Sequence, residues 1–405
     1  MTMNVVIYTY NFLPQADAEA FCATRFASAL AQRGHNVTVV TMDWPSRVSQ
    51  STYNNLVNPK LKIVKVPFSK RNGTKWQMIR YRLPWPEFVK DVNQSIRVLK
   101  SVLDQIPDAI LMSRAHPLIS LVVGWYARKH ASKWISHLSD PIPWFGLTSD
   151  TFGGRIKGSC IRGWLKKSFR DADATSLTCG MVSRYFHDEY GKVFDNCKCF
   201  ITTHIGDHSL TNNCLNENET ENHVKYLVHP GTTHFDRGIK EVVEAIQKIS
   251  SNECKIQLIQ IGYTDKEVKD FLKEYNFVDC RNSVSAEENV KLCSRANAVF
   301  VPDTRRPTTY SPFLLSKFVY QIYSDKPIVL YAMKESPMYE LYKKYPNSGI
   351  FWAETDNIDA LAEAILKAVN TNSNSFDRSA IRKEFDWVTV ATEFERNIEL
   401  LYKTK

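Results

Sequence analysis

The sequence predicts a two-domain α/β protein in which each domain is a doubly wound parallel sheet. The 405 residues exceed what one hydrophobic core usually serves, so two domains of about 200 residues are expected. Short apolar segments alternate with longer amphipathic ones, which is typical of parallel strands joined by helices. A polar segment, Asp207 to Asn222, interrupts this alternation near the middle and predicts an exposed connection between the domains.

The first strand, helix and strand set the pattern. Residues 4–9 are apolar and predict a buried strand, and residues 18–33 place apolar side chains at helical spacing. Gly34 follows in the position where a glycine commonly ends a helix, and residues 35–41 predict the second strand. We therefore expect a parallel βαβ unit at the start of the chain.

The same alternation continues through both halves. In the first half the sequence predicts strands over 62–66, 109–113, 133–137, 174–178 and 198–203, with helices over 87–105, 117–131, 159–170 and 181–191. In the second half it predicts strands over 224–229, 255–261, 297–301 and 327–331, with helices over 238–250, 265–275, 286–294, 312–323 and 358–369. Doubly wound sheets bind ligands at the carboxyl ends of their strands, so functional residues are expected there.

The composition is that of a soluble globular protein, with 43% hydrophobic and 23% charged residues. No apolar run approaches the roughly 20 residues that a membrane span needs. The first residues read as a strand and lack the order of a signal peptide, so we expect a cytoplasmic protein. In that compartment the nine cysteines are expected to stay reduced.

The positive charge is concentrated in the first half. Residues 1–205 carry 27 Lys and Arg against 14 Asp and Glu, whereas the rest of the chain carries 25 against 29. Basic residues mixed with tryptophans suit an anionic lipid surface and predict peripheral membrane binding, although a surface for solubility or for an anionic glycan is an alternative. No nucleic-acid motif accompanies the charge. The candidate residues are Lys70, Arg71, Lys75, Trp76, Arg80, Arg82, Trp164, Lys166 and Lys167.

Five segments resemble, in their order along the chain, the GT-B glycosyltransferases of family 4, in particular the members that assemble polysaccharides. They are IYTYNFLPQADAEAFCATRFASALAQRGHNVTVVT, KWISHLSDPIPW, VHPGTTHFDRGIKEVVEAI, SPFLLSKFVYQIYSDKPIV and DWVTVATEFERNIELLYK. Each segment alone is degenerate, so the order is the specific signal.

The resemblance implies a GT-B fold, in which two Rossmann-like domains face each other across a cleft. The acceptor-binding domain is expected over 1–206, a polar linker over 207–222, and the nucleotide-sugar-binding domain over 223–375. The terminal segment, 376–405, is expected to form a helix that packs back on the first domain.

The resemblance also assigns a donor site. Gly231 would allow close approach of the diphosphate, Arg237 before Gly238 would face it, and Ser316 and Lys317 would lie in the first turns of a helix that begins near residue 311. Tyr263 could stack on a nucleobase, and Asp303 follows the predicted strand 297–301 on the same edge. Each of these side chains could instead be a solvated group in a loop or at a helix start. No metal or other cofactor is expected, because the cationic groups can balance the phosphate charge.

The chain departs from the family pattern at several positions. The two glutamates that bracket the donor helix in many retaining members fall on Pro312 and Tyr320, and an arginine common after the first glycine falls on Thr232. Neither Pro312 nor Tyr320 can accept hydrogen bonds as a carboxylate does. The donor sugar and the stereochemical outcome are therefore left open.

Two residues of the first half are candidates for the catalytic base. Asp140 follows a predicted strand and precedes a proline, where it could deprotonate an acceptor hydroxyl or could only cap a turn. His116 follows another predicted strand and could be a base, a sugar ligand or a helix-start residue. A retaining enzyme would need neither.

We expect a glycosyltransferase that moves a sugar from a nucleoside-diphosphate sugar to a growing glycan or lipid-linked acceptor in surface polysaccharide biosynthesis. Two alternatives remain: a non-catalytic sugar-nucleotide-binding scaffold, and a sugar-nucleotide epimerase with the same fold. Transfer of the sugar to an acceptor distinguishes a glycosyltransferase from both alternatives.

Overall fold

The structure, a computed structural model, describes residues 2–67, 86–106, 108–130, 132–143, 152–206, 224–233, 237–250, 255–303 and 309–403, with 86–91 by their backbone alone. The chain forms two compact units. Unit 1 comprises Met1–His204 and Trp387–Lys405, and unit 2 comprises Ile205–Asp386. The predicted linker, 207–222, lies outside the described residues.

Unit 1 is built on a parallel sheet with seven strands among the described residues, in the order β3-β2-β1-β4-β5-β6-β7. The strands are β1 (Asn4–Thr9), β2 (Asn36–Met42), β3 (Lys62–Val66), β4 (Ile110–Arg114), β5 (Lys133–Leu138), β6 (Ala174–Leu177) and β7 (Cys199–Ile201). Val5 pairs with Val37 on one side and with Ile110 on the other, so the strand order reverses at β1.

Helices connect these strands. They are α1 (Ala18–Gln32), α2 (Gln50–Leu56), α3 (Pro86–Leu103), α4 (Pro117–Lys129), α5 (Phe152–Asp171), α6 (Gly180–Tyr190) and the short α7 (Lys192–Asp195). α4 approaches the sheet at Gly124, where an added Cβ would lie 2.0 Å from the ring of the fully buried Trp134. This glycine therefore allows the close packing of helix on strand.

Unit 2 repeats the architecture with a parallel sheet that has, among the described residues, six strands in the order β10-β9-β8-β11-β12-β13. The strands are β8 (Val224–Pro230), β9 (Lys255–Ile261), β10 (Val278–Arg281), β11 (Ala298–Pro302), β12 (Ile328–Ala332) and β13 (Ile350–Glu354). β11 and β12 are buried along their whole length, as expected for the centre of a sheet covered on both faces. The strand order reverses between β8 and β11.

The helices of unit 2 are α8 (Ile239–Ile249), α9 (Lys266–Leu272), α10 (Ala286–Arg295), α11 (Ser316–Ile322), α12 (Pro337–Lys344), α13 (Ile358–Val369) and α14 (Ser379–Glu384). α8 and α13 carry most of the apolar side chains that cover one face of the sheet. Both sheets are thus Rossmann-like, as the sequence predicts.

The last helix of the chain, α15 (Trp387–Lys403), belongs to unit 1. Phe394 packs edge-on against Phe26 of α1, with 5.2 Å between the ring centroids. The Glu395 carboxylate accepts hydrogen bonds from the Arg33 guanidinium at 2.9 Å. The segment 376–405 therefore contains two helices, α14 in unit 2 and α15 in unit 1, where the sequence predicts one.

Several further elements differ from the prediction. α11 begins at Ser316 rather than near residue 312, because residues 311–315 have no regular secondary structure and the N-cap residue, Leu315, has an extended backbone. α5 begins at Phe152 rather than at 159, since glycines in its first turns hide the helical pattern. The strands β10 and β13 and the short helices α2, α7 and α12 are absent from the prediction. In the part of the chain that the structure describes, no helix is long and apolar enough to cross a membrane.

Candidate functional site

Two glycines shape the carboxyl edge of the unit 2 sheet where its strand order reverses. Gly231 follows β8 with φ +145°, and Gly262 follows β9 with φ +126°. A Cβ on Gly262 would lie 2.8 Å from the Gly231 carbonyl oxygen. That oxygen accepts a hydrogen bond of 2.7 Å from the buried Gln260 amide. The turn after β8 is therefore fixed in a conformation that only glycine adopts easily.

Lys317, the second residue of α11, lies over this turn. A Cβ on Gly231 would be 3.1 Å from the Lys317 Nζ. The Nζ atom is buried and has no hydrogen-bond partner among the described residues, although the side chain as a whole is half-buried. An ammonium group buried without acceptors is unfavourable, and such groups commonly mark a site whose ligand supplies the acceptors.

The environment of Lys317 lowers the pKa of its amine to about 7. Burial is the main cause, the neighbouring Arg237 adds to it, and Asp303 acts in the opposite direction. A lysine with such a pKa in a polar sheet edge is typical of functional sites.

Arg237 approaches the same turn from the start of α8. Its Nη1 donates to the Thr232 carbonyl at 3.3 Å, while its buried Nε has no partner among the described residues. Gly238 follows as the N-cap with φ +66°, and an added Cβ would lie 2.7 Å from the Tyr331 ring. The second glycine thus lets α8 begin close to the sheet and directs Arg237 toward Gly231.

His229, the penultimate residue of β8, completes the cluster. Its ring is buried, and its Nδ1 donates to the Phe300 carbonyl at 3.0 Å. Burial, Lys317 and Arg237 hold its pKa well below the ordinary value, so the ring is neutral. His229 is not among the predicted site residues, because an isolated histidine within an apolar strand has no spacing signal.

Three more predicted donor residues lie at this edge. Asp303 follows β11 and is buried, with its backbone N–H donating to the Tyr331 carbonyl at 2.8 Å. Ser316 is the first residue of α11 and is half-buried. Tyr263 follows Gly262 and is 60% exposed. The structure therefore brings Gly231, Arg237, Lys317 and Asp303 into one cluster, with Tyr263 at its rim.

Asp140 lies at the carboxyl edge of the other sheet, in unit 1. It follows β5, is exposed, and lies near Cys22, Glu19 and Arg114. The buried Arg114 donates to Glu19 at 3.0 Å. This edge is polar and charged, and an exposed carboxylate there is accessible to a ligand.

His116 caps α4. Its Nδ1 accepts a hydrogen bond of 3.4 Å from the Leu118 N–H, and its ring packs edge-on against Trp164. Burial lowers the pKa of His116 to about 4, with a contribution from Lys157. The imidazole is neutral near pH 7, and the geometry is that of a helix cap.

The basic residues predicted on the membrane surface are only partly described. Those between 70 and 82 lie outside the described residues. Lys166 and Lys167 are exposed on α5, together with Arg155 and Arg170. Phe152 and Ile156, in the first turns of α5, are also exposed, 80% and 44% respectively. Together these six residues form what we term the α5 stripe.

Trp164 differs from the prediction. It is half-buried, packs against two hydrophobic clusters of unit 1 and contacts His116. The tryptophan faces inward because it lies on the side of α5 that covers the sheet, so it does not belong to the α5 stripe.

The sequence matches no protein-family model, and no curated protein matches it in sequence. Solved structures do match. Sucrose-phosphate synthase from Thermosynechococcus elongatus has a TM-score of 0.69 at 15% identity over 100% of both chains. The UDP-forming α,α-trehalose-phosphate synthase from Burkholderia vietnamiensis has a TM-score of 0.66 at 10% identity, also over 100% of both chains.

HepE from Anabaena, in complex with UDP and glucose, has a TM-score of 0.63 at 13% identity over 97% of this chain and 99% of that chain. These proteins are GT-B glycosyltransferases, and the predicted fold is confirmed. At such identities the likeness shows the fold alone, so the assignment to family 4 stays a prediction.

Proposed function

We propose that this protein is a glycosyltransferase that transfers a sugar from a nucleoside-diphosphate sugar to a glycan or lipid-linked acceptor. The observation that carries the proposal is the buried, unpartnered Lys317 ammonium over Gly231, with Arg237 beside it. The cluster lies where the strand order of a Rossmann-like sheet reverses, and ligands of such sheets bind at that point.

The chemistry of the cluster fits a diphosphate leaving group. When the bond between sugar and phosphate breaks, negative charge develops on the diphosphate and must be balanced. Lys317 and Arg237 can supply two positive charges and several N–H donors, and Gly231 allows phosphate oxygens to approach the backbone. We propose that this arrangement acts without a metal ion, so that a chelator leaves the transfer rate unchanged.

The structural neighbours support a nucleotide sugar as the donor. HepE has been solved with UDP, with UDP and glucose, and with UDP-glucose. Starch synthase IV from Arabidopsis thaliana has been solved with ADP and acarbose. A uridine or adenine nucleotide is therefore the first ligand to test on this chain.

For the acceptor, we propose the polar edge of unit 1. Asp140 is exposed there and could accept the proton of an acceptor hydroxyl in an inverting reaction. The capping hydrogen bond and neutral ring of His116 favour Asp140 over His116 for this role. In a retaining reaction the leaving phosphate takes the proton instead.

We also propose that the protein binds the surface of an anionic membrane, which would bring a lipid-linked acceptor of surface polysaccharide assembly within reach. The α5 stripe supports this, because exposed cations and apolar side chains together favour anionic lipid headgroups. Membership in family 4 would agree with such a role.

The proposal is tested by measuring nucleotide binding and transfer. UDP at 100 times its dissociation constant is expected to stabilise the native protein by about 2.7 kcal/mol. The variant Lys317→Ala/Arg237→Ala is expected to lose this stabilisation, whereas Lys291→Ala, which removes an exposed lysine of α10, keeps it. Wild-type protein that binds no nucleotide sugar would refute the proposal. Binding without transfer to any acceptor would instead indicate a scaffold.

A further inference from the structure

The helix that carries Lys317 is weak on its own. α11 has only 7 residues, and no side chain caps its amino end. Two helical turns are marginal in water without tertiary support. The position of Lys317 therefore depends on what holds α11 from outside.

Arg382 holds the carboxyl end of α11. The last carbonyls of a helix have no partner within the helix and need donors from elsewhere. Arg382, on α14, donates through its Nε to the Ile322 carbonyl at 3.0 Å. Its Nη2 lies within hydrogen-bond distance of the Tyr323 and Ser324 carbonyls, at 3.3 and 3.1 Å, and 2.9 Å from the Asp325 carboxylate.

Arg378 is fully buried beside it and donates only to backbone carbonyls. Its nitrogens reach five of them, two at the end of α11 and three in the turns before β12 and β13. The acceptors and distances are Ser348 at 2.6 Å, Gln321 at 3.2 Å, Ser324 at 2.6 Å, Lys326 at 2.8 Å and Gly349 at 3.2 Å. All five N–H donors of a guanidinium are thus matched in a rigid arrangement.

Tyr323, which follows α11, contacts the segment that contains Arg378 and Arg382. Its hydroxyl donates to the Arg382 carbonyl at 2.6 Å, and its ring leaves no space for a Cβ on Gly206. The Gly206 N–H in turn donates to the Phe385 carbonyl at 3.0 Å. The two arginines, Tyr323 and Gly206 therefore connect α11 to both points where the chain passes between its units.

We propose that Arg378 and Arg382 are positioning residues of the donor site, which hold α11 by its carboxyl end and thereby fix Lys317 over Gly231. Within α11, Lys317 lies about one helical turn before the Gln321 and Ile322 carbonyls that the arginines bind. The inference rests on the proposed function for the identity of the ligand, but the placement of Lys317 can be measured without any ligand.

The experiment follows the protonation of Lys317 by NMR in protein labelled with ¹³C at the lysine Cε, with the signal assigned by its loss in Lys317→Arg. In the wild type this lysine is expected to titrate near 7, because burial next to His229 and Arg237 outweighs the effect of Asp303. In Arg382→Leu, α11 is released and the amine becomes solvated, so the midpoint is expected to rise by about one pH unit or more.

Lys383→Leu is the matched control, since it removes an exposed charge from the same helix. It is expected to leave the Lys317 titration unchanged. An unchanged midpoint in Arg382→Leu, or an equal shift in Lys383→Leu, overturns the proposal. Should Arg382→Leu not fold, Arg382→Gln and Tyr323→Phe loosen the same contacts with less disruption, and the same criterion applies to them.

Measurements of UDP affinity then test the positioning role of the arginines separately from the proposed function. Arg382→Leu is expected to weaken UDP binding about tenfold, while Lys383→Leu binds as the wild type does. Wild-type protein that fails to bind UDP refutes the proposed function, but the NMR titration still decides whether the arginines position Lys317.

Discussion

Lys317 shows how a single residue can serve a site at the expense of stability. Its Nζ has no acceptor among the described residues, and its pKa of about 7 lies far below the ordinary value of 10.5. Between these two pH values the unfolded chain binds a proton that the folded chain does not. The free energy of unfolding therefore rises with pH over this window.

This linkage gives a prediction for Lys317→Met. At about pH 6 both states of the wild type carry the charge, and its burial destabilises the folded protein, so the variant is expected to be more stable. The difference is expected to shrink as the pH rises from about 7 toward 10.5, where the folded protein no longer carries the charge. Urea denaturation at several pH values measures it. The exposed Lys291→Met is the control, and a Lys317→Met variant that is less stable at about pH 6 contradicts the explanation.

A second prediction concerns Gly231. Gly231→Ala would force an alanine into φ +145° and place a Cβ 3.1 Å from the Lys317 Nζ. Gly34→Ala is a matched control, since Gly34 also has a positive φ, +91°, but has open space around it. Each substitution is expected to cost about 1–3 kcal/mol in backbone strain. Only Gly231→Ala is expected to abolish UDP binding, which isothermal titration calorimetry measures. Normal UDP binding by Gly231→Ala would show that the ligand binds elsewhere.

At the scale of single residues, the sequence predicts those site residues that lie close together in the chain, around one turn. Gly231, Arg237 and Gly238 follow one strand within a segment that resembles the donor segment of the family, and that resemblance predicts their convergence. His229 and Gln260 could not, because their roles depend on which strands are adjacent, and that information is not local.

At the scale of elements, α15 is held to unit 1 by one carboxylate with two basic partners. Glu395 lies 2.9 Å from both the Arg33 guanidinium and the His35 ring nitrogen. The hydrogen bond from Arg33 is the main reason that the pKa of Glu395 is below its ordinary value. The contact therefore stabilises the folded state at pH values above the ordinary pKa of a glutamate. This stabilisation is lost as the pH falls through the lowered pKa of the folded state.

Glu395→Gln is therefore expected to lower the Tm near pH 7, by about 2–4 °C. The difference from wild type is expected to shrink as the pH falls below 4.5 and to vanish only below the lowered pKa of the folded state, where the carboxylate is protonated in both states. Glu393→Gln is the control, because Glu393 lies on the exposed side of α15. It should have no effect at either pH. Equal losses in the two variants, measured by calorimetry, would show that the contact is unimportant.

The elements that the sequence predicts well are those with strong periodicity, such as β9 and α13, whose bounds agree with the structure. The start of α11 could not be predicted, because Pro312 is compatible with a helix start, whereas residues 311–314 are buried outside any helix, which is a matter of tertiary packing. Similarly, the break between α14 and α15 reflects the passage from one unit to the other, which local propensity does not encode.

At the scale of the whole molecule, the uneven charge predicts behaviour toward membranes. Wild-type protein is expected to bind vesicles with anionic lipids more strongly than neutral ones, and less so as salt is raised. Phe152→Ser/Ile156→Ser is expected to weaken this binding about tenfold or more, because each buried apolar side chain contributes about 1.5–3 kcal/mol.

Val388→Ser/Leu400→Ser provides the matched control, since both residues are exposed on a different helix, α15. Co-sedimentation with vesicles measures both variants. Equal binding to neutral and anionic vesicles would remove the electrostatic part of the proposal, and equal losses in both double variants would show that the contact is not specific to α5.

The overall architecture could be predicted because the alternation of strands and helices and the order of the five family-like segments both indicate two Rossmann-like units. The division of the chain between the units is less evident from sequence, since α15 is separated from its partner α1 by the whole of unit 2.

That separation also affects how the protein is made. As the chain leaves the ribosome, Ile205–Asp386 emerges before Trp387–Lys403, so unit 2 can fold while the core around Phe26 still lacks Phe394. The nascent unit 1 must therefore remain incomplete, with an apolar surface open to chaperones or to wrong partners, until the last helix is synthesised.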